Sequence, residues 1–382
     1  MKFIFVFTLL LFSSQVFAYS NFIGHGYTSC LNCHFNPTGG GPLNDYGRVV
    51  SATLISSNAF YPASMTEEQV AHTSGFLFRK PKQDWLRTQV NYRGFQLVNH
   101  PGGRKETKRW INMQLDARAI VKFGENDRFV AVGNFGYAPS PQTLPTKEKQ
   151  SDWRSREYYL GYRFTPKVGV YAGLMDKVFG LKVIEHIAFS RTVPQAAQND
   201  QVHGVMAHYL GEKWETTGQF FLGNMGQDEN IRSKGASLTT ERTIFDNHRL
   251  GLSVLKSKNE FFDLSVASLH TRINLKEGSA LLAEFGQSSR KTANKSDDRS
   301  ERYGLLQTYL RPFRGLYFLT NVEYYQANIK EEPYIVRWGP GVQYFPIQRV
   351  ELRLDVYNTR SFNPSSSAYD SWMYLFQTHL WL

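Results

Sequence analysis

Past its first eighteen residues, this 382-residue chain has no apolar run approaching the ~20 residues that a membrane-spanning helix needs, and its mean hydropathy is -0.41. That argues against a helical inner-membrane protein. Cysteine is almost absent: Cys30 and Cys33 are the only two, and a disulfide between them would close almost no loop and stabilise little. Acidic residues are outnumbered 33 to 44, for a net charge of +11. The lysines and arginines are scattered through alternating segments instead of forming one tract, so nucleic acid is not an expected partner. Anion attraction by a pore, or by loops facing lipopolysaccharide, is the more economical reading. The one glycine run, Gly39-Gly40-Gly41, lacks the following Lys-Ser/Thr of a phosphate-binding loop.

What the chain does have begins at its N-terminus. Lys2, the apolar run Phe3 to Phe12 and the small-residue site Val16-Phe17-Ala18 read as a signal peptide over residues 1–18, with the mature chain starting near Tyr19. Aromatic residues make up 15% of the chain, with 28 Phe and 21 Tyr. Together with negative hydropathy, that points to strands alternating between apolar and polar faces.

From about residue 81 the chain repeats strand, connection, strand. Between Trp110 and Phe123 the odd positions are apolar, from Ile111 through Leu115 to Phe123, and the even ones include Gln114, Asp116, Arg118 and Lys122. A soluble sandwich and a membrane barrel both show such alternation. The connections separate them. Tight ones occur at Gly124–Asp127, Thr165–Lys167, Gly211–Lys213, Ser257–Glu260, Lys276–Ser279, Pro312–Gly315 and Pro346–Gln348. Between them lie mostly long polar ones: His100–Lys108, Pro139–Asp152, Phe179–Asp200, Met225–Ile244, Ser288–Ser300 and Arg360–Tyr369, with a shorter one at Ile329–Pro333. Short turns alternating with long loops are the asymmetry of an outer-membrane barrel. Seven turns require eight loops, so one more hairpin is expected, with its tip at Ala267–His270. The expectation is an all-β, antiparallel transmembrane barrel of about 16 strands over residues 81–382, or 14 without that hairpin. The alternation Tyr374, Phe376, Thr378, Leu380, Leu382 up to the last residue fits a terminal strand of such a barrel. The connection Phe179–Asp200 is either a constriction loop folded into the lumen or a surface loop. Its neighbourhood holds Glu185, His186, Asp200 and His203, whose spacing gives no metal-ligand pattern.

Residues 19–80 carry the chemistry. Cys30-Leu31-Asn32-Cys33-His34 has the spacing for covalent haem c attachment, with both thiols on the porphyrin and His34 on the iron. A dithiol redox motif would not need the histidine, and zinc would need two further ligands, for which His25 and His34 are present but no second cysteine pair. For the opposite side of the iron, the possibilities are His25, Met65, His72 or an open position. Thr66 and Gln69 also fit a helix-capping box with Met65 and Val70 as its hydrophobic staple, a purely structural role for Met65. About sixty residues rarely stabilise themselves unaided, so the haem is expected to supply most of their apolar centre.

Cys30-x-x-Cys33-His34 followed by Leu43-x-x-Tyr46-Gly47-Arg48 resembles the haem segment of the monohaem cytochrome c–porin fusions of the bacterial outer membrane, which include iron-oxidising cytochromes. The insert Asn36–Gly41 departs from the iron-oxidising pattern, and beyond residue 50 the resemblance is one of architecture. It implies one covalent haem c held by Cys30, Cys33 and His34. It further implies electron transfer between an extracellular donor or acceptor and periplasmic cytochromes or other carriers, with outer-membrane lipid around the barrel. Metal (iron) oxidoreductase activity belongs to the same family. The alternative is a diffusion porin, anion-preferring, whose haem segment serves as plug, gate or sensor. A haem enzyme with an open iron position ranks last.

Overall fold

The computed structural model describes residues 20–79, 83–102, 105–137, 152–185, 187–245, 247–275, 277–293, 298–363 and 369–382. The expected signal peptide, residues 1–18, and His186 lie outside these. Sixteen antiparallel strands run from Leu86–Pro101 to Tyr369–Trp381. The first and last pair with each other, from Asn91 against Trp381 to Pro101 against Ser371, and so close the sheet into a barrel. The sheet holds seventeen segments because one strand is broken: Trp153–Arg154 and Tyr158–Thr165 both pair with Phe129–Tyr137. Closure satisfies every strand edge, the condition for crossing a membrane with strands.

Alternation does the rest. In His248–Lys258 and Phe262–Asn274, Leu250, Leu252, Val254 and Leu269 are exposed on the outer surface, while Ser253, Ser257, Ser268 and His270 are buried inward. Exposed aromatic residues flank this apolar band. Trp110, Phe135, Trp153 and Trp372 lie toward the loops, and Phe123, Phe164, Trp214 and Phe313 toward the tight turns. On Thr107–Phe123 the alternation shifts by one where the register slips opposite Arg93 and Gly94. Met113 is therefore buried, while Trp110 is exposed.

The expected hairpin tip at Ala267–His270 does not exist: Phe262–Asn274 is one continuous strand paired along its length on both sides. Met225–Ile244, expected to be a long loop, contains the strand Lys234–Ile244. That strand escapes a hydropathy reading because Leu238 and, at its turn end, Ile244 are the only large apolar side chains on its outer face. Ser257–Glu260 consequently lies at the loop end, and the two differences cancel in a count of sixteen. Strands also extend further into three of the expected loops, to Pro101, to Thr292 and to Phe362.

Residues 20–79 sit inside the barrel as a plug at its turn end. Phe22, Ile23, Cys33, Val50 and Ile55 share one apolar cluster with Leu282, Leu305, Tyr309, Tyr317, Leu319 and Phe345 of the wall. The plug therefore borrows its core from the barrel, a source the sequence-based expectation had assigned to haem. Polar anchors surround it. Arg314 donates to Ser56 O at 2.7 Å and Ala52 O at 3.1 Å, Ser57 N to Phe345 O at 2.9 Å, and Ser29 Oγ to Glu215 Oε1 at 2.8 Å. Arg349 donates to the carbonyls of Ser74 and Gly75.

Of the two readings of Phe179–Asp200, the structure adopts the constriction loop. Leu181 N donates to Glu284 Oε2 and Phe189 N to Glu323 Oε2, both at 2.8 Å, and Gln307 donates to Glu185 at 2.7 Å. Arg353 closes an ion pair on the same Glu185 carboxylate. Leu181, Val183 and Ala188 complete the plug's apolar cluster from above.

Candidate functional site

The motif is held as a single tight turn. Cys30–Asn32 is one turn of 3-10 helix capped by Ser29, and His34 N donates to Cys30 O at 2.9 Å. Asn44 Nδ2 donates to the carbonyls of Leu31 and Asn32 at 3.2 and 3.1 Å, while its Oδ1 caps the helix Asp45–Val50. Leu43 forms an isolated antiparallel bridge with His34.

The Leu43-x-x-Tyr46-Gly47-Arg48 pattern now has a physical account. A Cβ on Gly47 would lie 2.2 Å from Cys33 O, so only glycine lets this helix rest on the motif. Asp45 receives Arg48 and, at 2.8 and 2.9 Å, Arg87 and Lys122 of the first two strands. Gly47→Ala is expected to cost about 1–3 kcal/mol of plug docking, the ordinary penalty of overpacking. Limited proteolysis of residues 20–79 in the folded barrel reads that loss directly.

Burial pushes the Cys33 thiol up to about 12, with Cys30 adding to it, and raises Cys30 against the opposing Arg272. Both cysteines are free. Burial lowers His34 to about 4, the Gly41 backbone opposing it and Lys182 and Arg118 adding to it. Its imidazole is neutral at physiological pH, with a lone pair available to a metal.

His34 opens onto a lumenal cavity of about 280 Å³. Its lining includes apolar Phe22, Ile55, Phe345 and Trp381 and cationic Arg93, Arg118, Arg156 and Lys182. Glu157 and Asp176 partly balance that charge, Glu157 facing Arg118 at 3.4 Å. Gly39 sits at φ +74, where a Cβ would crowd Cys30 Sγ at 3.1 Å. Of the motif, His34 lines this cavity, while Cys30 lines a neighbouring one with Glu215, Glu241 and Arg272, and Cys33 packs in the apolar cluster. Two free thiols, an adjacent imidazole, and apolar and cationic side chains nearby are residue types that a covalent haem would use.

The expected residues for the other side of the iron are dispersed. His25 lies toward the turns, where burial and then Arg311 and Arg314 lower it to about 4. Met65 precedes the helix Glu67–His72, whose Thr66/Gln69 capping box is present. His72 faces Glu68 at 3.7 Å with its side chain 52% exposed. None of the three lines the cavity beside His34. His379 does, and so do Arg93, Arg118 and Arg156, all from barrel strands or their connections. Strand parity signals the inward side of Arg118 and His379, but nothing local marks them as a site. Glu185 is bound to Arg353, and His203 accepts from Met225 N at 3.0 Å. Among the described residues, no group of three or more His, Cys, Asp or Glu could hold a metal ion.

His25 and Asp45 tie docking to pH. His25 is neutral when docked, so a released plug gains a proton that the docked one refuses between pH 6.5 and about 4. Burial raises Asp45, but Arg87, Arg48 and Lys122 outweigh it and hold the carboxyl at about 2, so its contribution is lost as pH falls from 3.8 toward 2. Docking is expected to weaken as pH falls from 6.5 to 4, read as rising conductance in planar bilayers. A conductance unchanged between pH 7 and pH 4 contradicts it.

No family model matches the chain, and no curated protein matches its sequence. Solved structures match its fold. A loop-deleted form of the outer membrane protein OmpT of Vibrio cholerae superposes with a TM-score of 0.60 at 11% identity, covering 78% of this chain and 100% of that one. The anion-selective porin from Comamonas acidovorans gives 0.58 at 8% identity, with 78% and 99% covered. The outer membrane channel DcaP of Acinetobacter baumannii gives 0.57 at 11% identity, with 78% and 97% covered. The chain has the sixteen-stranded porin-like fold of these outer-membrane proteins, and its lipid-facing band places it in the bacterial outer membrane.

Proposed function

We propose that this protein is a haem c-bearing cytochrome–porin that passes electrons between an extracellular redox partner and periplasmic carriers. The observation that carries this reading is the joint position of Cys30, Cys33 and His34 inside the lumen, beside an amphipathic cavity and beneath an inward loop. The hydrocarbon band of a barrel is ~25 Å tall, so a redox centre confined below the barrel would serve only the periplasmic side. A centre within the lumen shortens the gap to the outer face while staying near the periplasmic one. When bound, the haem supplies one-electron exchange at iron. Cys30 and Cys33 anchor it, His34 gives a neutral nitrogen, Phe22, Ile55 and Trp381 exclude water, and Arg93, Arg118 and Arg156 receive carboxylates. Tyr46, 53% exposed next to the Gly47 that packs on Cys33 and joined to Tyr27 by a 2.6 Å hydrogen bond, offers the periplasmic carrier a contact at the turn end. The test is a reduced-minus-oxidised spectrum of the purified full-length protein after denaturation and extraction of free haem. A reversible covalent haem c band is expected; its absence would sink the reading.

The second reading is a diffusion porin, anion-preferring and gated by its plug. The fold likeness to an anion-selective porin and the four cations of the cavity favour it. Steady anion-selective conductance of the full-length protein at neutral pH, with the plug docked, would establish it over the conduit.

A further inference from the structure

We propose that His379, on the last barrel strand, is the second axial iron ligand of the haem held by Cys30, Cys33 and His34, positioned for that role by Glu351; this rests on the haem reading above. His379 lines the same lumenal cavity as His34. Its Nδ1 lies 3.1 Å from Glu351 Oε2. Glu351 is fully buried on the neighbouring strand and also accepts from Gln343 Nε2 at 2.7 Å, so its carboxylate is fixed in place. A carboxylate on one ring nitrogen sets the tautomer, orients the ring and leaves the other nitrogen's lone pair free, which is how metal-ligating histidines are held. Arg93 Nη2 lies 3.4 Å from the same Nδ1, farther than Glu351 Oε2 at 3.1 Å, so the carboxylate is the nearer partner of that nitrogen.

Depth in the barrel agrees. His379 lies two residues before the end of its strand at Trp381, and Arg272 two residues before the end of its own at Asn274, both at the turn end. Arg272 Nη1 lies 3.8 Å from Cys30 Sγ. The wall residue that touches the motif's first thiol and His379 thus both lie near the turn end of the barrel. A ligand from the barrel wall also gives the plug a reason to dock in one orientation, since the iron would bridge the two parts of the chain.

The experiment uses full-length, haem-loaded protein in detergent, with His379→Ala, His379→Met, Glu351→Gln and His25→Ala. Electron paramagnetic resonance of the ferric state reads iron ligation independently of any electron-transfer activity. The wild type is expected to be low-spin with two histidine ligands. His379→Ala should become high-spin and return to low-spin on adding imidazole, which also shows that the pocket is folded. His379→Met should raise the midpoint potential, and Glu351→Gln should give a mixture of spin states. Should His379→Ala fail to fold, His379→Met decides alone. The proposal is overturned by a low-spin signal that survives His379→Ala or by an unchanged potential in His379→Met. A wild type that is already high-spin, or conversion by His25→Ala in place of His379→Ala, overturns it as well. A wild type with no covalent haem overturns the haem reading itself and is recognised separately by haem staining.

Discussion

A chain in which Cys30 and Cys33 are both replaced by serine is expected to reach the outer membrane as a folded barrel carrying no covalent haem. Neither cysteine belongs to the strand ladder, which closes through Leu86–Pro101 and Tyr369–Trp381. The cost falls on the plug: a hydroxyl at Cys33 enters the cluster of Phe22, Val50 and Ile55, a penalty of about 1–3 kcal/mol if it finds no partner. The anchors through Asp45, Arg314 and Arg349 stay intact, so the plug remains docked. Haem-stained denaturing gels should lose the band completely, while the heat-dependent mobility of the barrel persists. Retained covalent haem would contradict the assignment of both thiols.

Deleting residues 20–79 is expected to have the opposite effect on the lumen, turning a closed barrel into a steady channel. Sixteen strands enclose a lumen wide enough for water once nothing fills it. The inward loop stays in place through its contacts with Glu284, Glu323 and Arg353 and narrows the pore without sealing it. The channel should prefer anions because Arg93, Arg118 and Arg156 then face open water. The deletion would also bare Leu282, Leu305, Tyr309, Tyr317, Leu319 and Phe345 on the inner wall. A diffusion pore is polar inside, so this apolar patch indicates a barrel built to hold its plug. Bilayer conductance checks the prediction; a deleted chain that conducts no more than the full one contradicts it.

Much of this was legible in the sequence because strand period and turn chemistry are local. Alternation on Thr107–Phe123 and Tyr369–Trp381, with tight turns such as Thr165–Lys167, led to the closed barrel. Lys234–Ile244 was not legible, since only Leu238 and the terminal Ile244 mark its outer face and threonines serve either side equally well. The motif Cys30–His34 and the capping box at Thr66 were also local signals. The cavity was not, because it is assembled from residues more than three hundred positions apart, Phe22 and His34 meeting Phe345 and Trp381. His379 reads on its own as one more inward polar residue. Only the ring closure that sets the last strand against the first brings it beside Arg93 and the plug.

The most direct test of the central claim uses full-length protein in sealed liposomes loaded with an oxidised soluble cytochrome c, with a small membrane-impermeant reductant added outside. A docked plug bearing covalent haem should reduce the entrapped cytochrome. The double serine variant, with its plug in place but no haem, should leave it oxidised. Equal reduction rates for the two proteins would show the reductant passing through an open pore, and the protein would then be a porin and no electron conduit.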